Sequence, residues 1–166
     1  MPSAIKTERV RPRPRCRLIG TEARLVEGGR TEVHRCPVEG DRRPFQFVIR
    51  GPNHQSSVQL GLHGRAVHAT VSGDETCELD MELDVEGEGG VVLDAWGVYA
   101  ARQASMLLVI PGEADRVARV CRVFAAGTEV LALAEGRYVV RTIVSQGSMM
   151  FRLSLREEPV RSPGSG

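Results

Sequence analysis

Cys77-Glu78-Leu79-Asp80-Met81-Glu82-Leu83-Asp84-Val85-Glu86 alternates apolar and acidic residues over ten positions without an exception. Successive side chains of a β-strand point to opposite faces, so this period of two makes one apolar face and one charged face. Cys77, Leu79, Met81, Leu83 and Val85 are expected to face a core. Glu78, Asp80, Glu82, Asp84 and Glu86 are expected to face water or a basic partner. A helix would spread both sets around its surface, so the stretch reads as a strand and sets the class of the domain.

Working outward, strand patterns and turn signals alternate at short intervals. Cys16–Gly20 and Glu22–Val26 read as short strands. Gly28-Gly29 is a hairpin signal with Arg30–Cys36 as its return strand. Pro37–Pro44 reads as a polar loop and Phe45–Arg50 as a strand. Gly51-Pro52-Asn53 turns the chain into Ser57–Leu62, and His63-Gly64 turns it into Arg65–Ser72. Ser72-Gly73-Asp74 reads as a turn into the acidic strand, and Gly87–Gly90 ends that strand. Val91–Ala100, Ser105–Ile110, Val130–Ala134, Tyr138–Ser145 and Met149–Leu155 complete the series. Gly112–Phe124 is ambiguous. Val117, Val120, Cys121 and Phe124 fit helical spacing, while Val117, Arg119, Cys121 and Val123 fit strand alternation.

Charge is distributed in blocks. The chain of 166 residues has a net charge of +1, yet residues 66–101 carry nine acids and no Lys or Arg, which leaves the remainder at +10. Arg11-Pro12-Arg13-Pro14-Arg15 cannot be helical, because proline lacks the amide hydrogen and biases its predecessor toward extended backbone. Residues 1–15 therefore read as a flexible arm, with Arg9, Arg11, Arg13, Arg15 and Arg17 as candidate contacts to nucleic acid or to an acidic partner. Guanidinium groups pair with phosphate in a bidentate way, and such binding weakens with salt. The acidic face Glu78, Asp80, Glu82, Asp84 and Glu86 is a candidate docking surface for a basic segment. An edge strand kept soluble by its charge would present the same pattern.

Other chemistry is weakly signalled. Cys16, Cys36, Cys77 and Cys121 are far apart without a CxxC pair, which fits free thiols in a reducing compartment. His34, Cys36, His63, His68 and Cys77 lack the paired spacing of a structural zinc site. There is no G-x-S-x-G elbow and no Walker loop. Asp94 and Trp96 share one strand face with Tyr99 opposite, a weak hint of a site. No apolar run is long enough to cross a membrane, and the basic N-terminus lacks the apolar stretch of a secretory signal.

The arginine arm followed by strands resembles the plan of a small jelly-roll viral coat protein, which implies an arm that contacts nucleic acid. Arg11 and Arg15 before the strand at Cys16 are similar to the RxxxR arm of the PilZ domain, a β-barrel that binds cyclic di-GMP. The PilZ partner motif D/N-x-S-x-x-G is absent, since Asn53-His54-Gln55-Ser56 places its serine one position late. The acidic tract has a counterpart in histone chaperones of the nucleoplasmin kind, where such tracts are disordered tails rather than strands.

These readings lead to an all-β fold, an antiparallel β-sandwich or barrel with the jelly roll among its forms. The expected organisation is an arm over 1–15, a β-domain over 16–155 and a disordered tail over 156–166. The expected role is a non-catalytic, capsid- or shell-like assembly protein that forms homo-oligomers and contacts RNA or DNA through its arm. A monomeric ligand-binding barrel of PilZ type is the competing expectation. No cofactor, metal or membrane partner is expected, and the expected location is the cytoplasm, the nucleus or a particle.

Overall fold

Three strands of twenty residues or more organise the molecule: β5 (Ala66–Glu86), β6 (Val91–Ile110) and β9 (Gly136–Arg156). The computed structural model describes residues 15–38, 45–87 and 90–156. The remaining strands are β1 (Arg15–Glu27), β2 (Arg30–Pro37), β3 (Phe45–Arg50), β4 (Ser56–His63), β7 (Arg116–Cys121) and β8 (Thr128–Leu133). A single turn of helix, α1 (Val123–Ala126), joins β7 to β8. Among the described residues all nine strands belong to one antiparallel sheet, with β9 between β5 and β6.

The long strands change partners halfway. β5 pairs with β4 up to Gly73 and with β1 from Cys77 onward. β6 pairs with β8 over Val91–Trp96 and with β7 over Met106–Ile110. One half of the sheet thus runs β2-β1-β5-β9-β6-β7, and the other runs β3-β4-β5-β9-β6-β8. Apolar side chains of both halves, such as Leu79, Leu83 and Met106 from the first and Leu60, Phe151 and Leu93 from the second, belong to one core cluster. Phe151 is the largest fully buried side chain, and Leu, Met and Val fill most of the rest. Each such aliphatic side chain contributes about 2 kcal/mol by leaving water.

Small residues lie where the partners change. Gly73 of β5 is the register partner of Gly147 of β9, which is in turn the partner of Ala101 of β6. Gln146 and Gly147 have φ of 53° and 149°. A Cβ on Gly147 would stand 2.2 Å from the Ala100 carbonyl oxygen. Across this line the buried set of β9 changes parity, from Val140, Thr142 and Val144 to Met149, Phe151 and Leu153. That of β6 changes from Val91, Leu93 and Ala95 to Met106 and Leu108. Glycine within a strand permits such a bend.

Several expectations are corrected here. Arg65–Ser72 and the acidic strand are one strand, because the chain bulges between Gly73 and Thr76 rather than turning at Ser72-Gly73-Asp74. Val91–Ala100 joins Ser105–Ile110, and Tyr138–Ser145 joins Met149–Leu155, because β6 and β9 pair in one unbroken register through Ala101 and Gly147. Cys16–Gly20 and Glu22–Val26 are one strand with a bulge between Leu18 and Gly20, which keeps both apolar sets on the inner side. In Gly112–Phe124 the strand alternative prevails as β7, with helix confined to α1. Gly28 and Gly29 do form the β1–β2 turn, with φ of 58° and 75°.

The sheet is open among the described residues: β2, β3, β7 and β8 each pair on one side only. Residues 1–14 of the expected arm, most of the Pro37–Pro44 loop and the tail beyond Arg156 lie outside the described residues. No helix among them is long and apolar enough to cross a membrane.

Candidate functional site

The acidic row of β5 lies between β1 and β9, and both neighbours bring arginines to it in register: Arg17 opposite Asp84, Arg24 opposite Glu78 and Arg141 opposite Asp80. Twenty-one of the chain's 22 basic residues are arginine, Lys6 being the exception, and the planar fork of arginine matches a carboxylate bidentately. Arg141 Nε and Nη2 donate to Asp80 Oδ1 and Oδ2 at 2.9 and 3.0 Å. Arg24 Nη2 and Nη1 donate to the same two oxygens at 3.1 and 3.2 Å. An ionised carboxylate has about four lone-pair sites, so Asp80 is saturated, and its side chain is only 8% exposed.

The lattice extends from this centre. Arg24 Nε also donates to Glu78 at 2.7 Å. Glu22 accepts from Arg35 of β2 at 3.3 Å, and Arg141 reaches Asp115 at 3.3 Å. Arg17 bonds Glu86 at 2.9 Å and Asp84 at 3.4 Å. Glu82 stands exposed between Gly20 and Val139, which carry no charge. Burial works against the Arg24 charge, but hydrogen bonds to Asp80 and Glu78 outweigh it and hold the guanidinium above its ordinary value. The hydrogen bond to Asp80 raises Arg141 likewise, against a smaller opposing effect of burial. The acidic stripe is therefore largely neutralised by side chains of its own sheet.

Of the expected arm contacts, Arg9, Arg11 and Arg13 lie outside the described residues. Arg15 is exposed at the start of β1 opposite Glu86, and Arg17 is within β1 and engaged as above. The thiol-imidazole residues do not converge: among the described residues no three of His, Cys, Asp and Glu form a metal-holding group. Cys77 is buried on the inner side, its thiol donating to the Ser72 carbonyl at 3.3 Å, whereas His63 and His68 are exposed. All four cysteines are free thiols, and Cys36 alone of them is half-buried rather than buried.

Sequence reasoning did not find two further features. The first is the β7–β8 margin. Glu129 of β8 accepts from the guanidinium of Arg119 and the amide of Arg122, tying the two edge strands together. Val117, Val120 and Val130 stand out along this margin at 51%, 61% and 58% exposure.

The second is the outer surface of the second half. Register places Gln46, Gly61, His68, Arg152 and Trp96 in one row across β3, β4, β5, β9 and β6. A depression of about 200 Å³ opens over Gly61, bordered by Gln46, Gln59, His63, His68, Thr70 and Met150. Beside it the Arg152 guanidinium lies over the Trp96 ring, 5.7 Å from its centroid. The row joins residues far apart in sequence, so no local motif announces it. No protein-family model, curated protein or solved structure matches this chain.

Proposed function

We propose that this protein is a non-catalytic, self-associating β-domain, and that it associates through the β7–β8 margin. In this reading the two halves of the sheet form the layers of a sandwich, supported by the core they share. The observation that carries the proposal is the exposure of Val117 and Val120 on β7 and of Val130 on β8, two strands that pair on one side only. An open strand edge offers unpaired N–H and C=O groups to another chain, and exposed β-branched residues add apolar area. The acidic row is a poorer candidate for the contact between copies, because Arg17, Arg24 and Arg141 already meet its charge. Contact of Arg9, Arg11, Arg13 and Arg15 with RNA or DNA belongs to the same proposal and rests on the sequence pattern of the arm.

Light scattering on a sizing column tests it. The full chain is expected to elute as a species larger than its 18.1 kDa monomer. Val120→Lys and Val130→Lys are expected to shift it to monomer with an unchanged circular dichroism spectrum. Association that resists salt fits apolar edge pairing, whereas dissociation in salt assigns it to the charge blocks instead. A monomer under all conditions overturns the proposal.

A further inference from the structure

We propose that the depression over Gly61 is a binding site for the phosphate group of a small ligand or of a nucleic-acid strand. This is independent of self-association at β7–β8, since it lies on β3, β4, β5 and β9. Its floor exists because residue 61 has no side chain: a Cβ there would meet only the Phe45 carbonyl oxygen at 3.7 Å and Gln46 Cγ at 3.9 Å. Neighbouring positions on β4 and β5 carry the side chains that wall it.

The polar side chains of the wall can each donate a hydrogen bond as well as accept one. Gln46 and Gln59 offer amide N–H groups, His63 and His68 offer imidazole N–H, and Thr70 offers a hydroxyl. Among the described residues no carboxylate borders the depression. Asp94 is on β6, separated from the β5 wall by β9. Arg152 is the direct register partner of His68. Its guanidinium lies over the Trp96 ring of β6, beside the depression rather than in its wall, and must swing across β9 to reach an oxyanion there.

Size selects the ligand class. At about 200 Å³ the site is smaller than the pockets that enclose drug-sized molecules, and it accommodates a phosphoryl group with part of its ester. Trp96 lies two strand spacings from His68, about 9.5 Å. A ring attached to the phosphate reaches that distance and finds an apolar partner in Met150 or Trp96.

The test uses the full chain with three probes: inorganic phosphate, adenosine monophosphate and a short oligothymidylate. Binding is read by calorimetry and by the imidazole NMR resonances of His63 and His68. At least one probe is expected to bind with shifts of both resonances. His68→Gln and Arg152→Gln are expected to weaken it about tenfold each, and Gly61→Val to abolish it by filling the floor. Circular dichroism identifies any variant that fails to fold, and the others then decide. Equal binding of the two small probes marks a free phosphate ligand. Tighter, salt-sensitive binding of the oligonucleotide marks a strand. No heat and no shift from any probe at about 10 mM, weaker than any useful affinity, overturns the proposal. So does binding unchanged in all folded variants.

Discussion

Arg141 and Asp80 face each other across β9 and β5 through two parallel hydrogen bonds of 2.9 and 3.0 Å, and Arg24 completes the clamp from β1. A carboxylate this enclosed is costly to remove, because two guanidinium groups then confront each other without it. Asp80→Ala is expected to destabilise the fold by about 3 kcal/mol, the range for breaking a buried pair. Urea denaturation measures it. A loss near zero would mean the lattice is a solvated surface pattern.

Glu27 links the two halves of the sheet. It ends β1 and accepts from the amides of Asn53, Gln55 and Ser56 and from the Ser56 hydroxyl, at 2.7 to 3.0 Å, in the turn before β4. Burial pushes its carboxyl up, but these donors outweigh burial and hold it below 4.5. A lowered carboxyl stabilises the fold above its ordinary range, and the contribution is lost as pH falls through the lowered value. Glu27→Gln is expected to lower the melting temperature at neutral pH. The gap to the unaltered protein is expected to close in acid, as a pH series of melting curves will show. A gap independent of pH would assign the effect to shape alone.

The acidic strand was legible because Cys77–Glu86 alternates without error and both its neighbours keep its register. Its basic partners were not legible: Arg24 is 54 and 56 positions, and Arg141 61 positions, from the β5 acids they bind, and only strand pairing brings them together. β5 was misread at Gly73 because glycine signals a turn and a bend alike. Deciding between them needs knowledge of the partner strand. The row Gln46–Gly61–His68–Arg152–Trp96 was invisible for the same reason, since it is a product of register across five strands.

Cys77 and Cys121 are pushed up by burial from 9.0 to about 11. Because the fold raises these values, the stability they contribute is present below pH 9.0 and lost as pH rises toward 11. Few other groups change charge there, since the chain has one lysine and two tyrosines. The melting temperature is expected to fall across that window, and less steeply in Cys77→Ala. Thiol labelling gives a companion result. Cys36 is expected to react first and the three buried thiols only on unfolding. Rapid labelling of more than one thiol would mean that the core opens in the native state.

Gly147 and Gly61 are both strand glycines, and the structure assigns them opposite tolerance. Gly147 has φ of 149°, and a Cβ there would press within 2.2 to 2.7 Å of Ala100 and Ala101, one strand away. Neither backbone nor methyl can yield without breaking the β6–β9 pairing at the bend. Gly147→Ala is expected to cost about 3 kcal/mol, as for strained backbone combined with overpacking. Gly61 carries no such constraint, its nearest contacts being at 3.7 and 3.9 Å. Gly61→Ala is expected to be neutral or to stabilise by about 0.5 kcal/mol through reduced freedom of the unfolded chain. Parallel urea titrations of the two variants decide the matter. Equal losses would mean that the bend at Gly147 is not required for the long strands to serve both halves of the sheet.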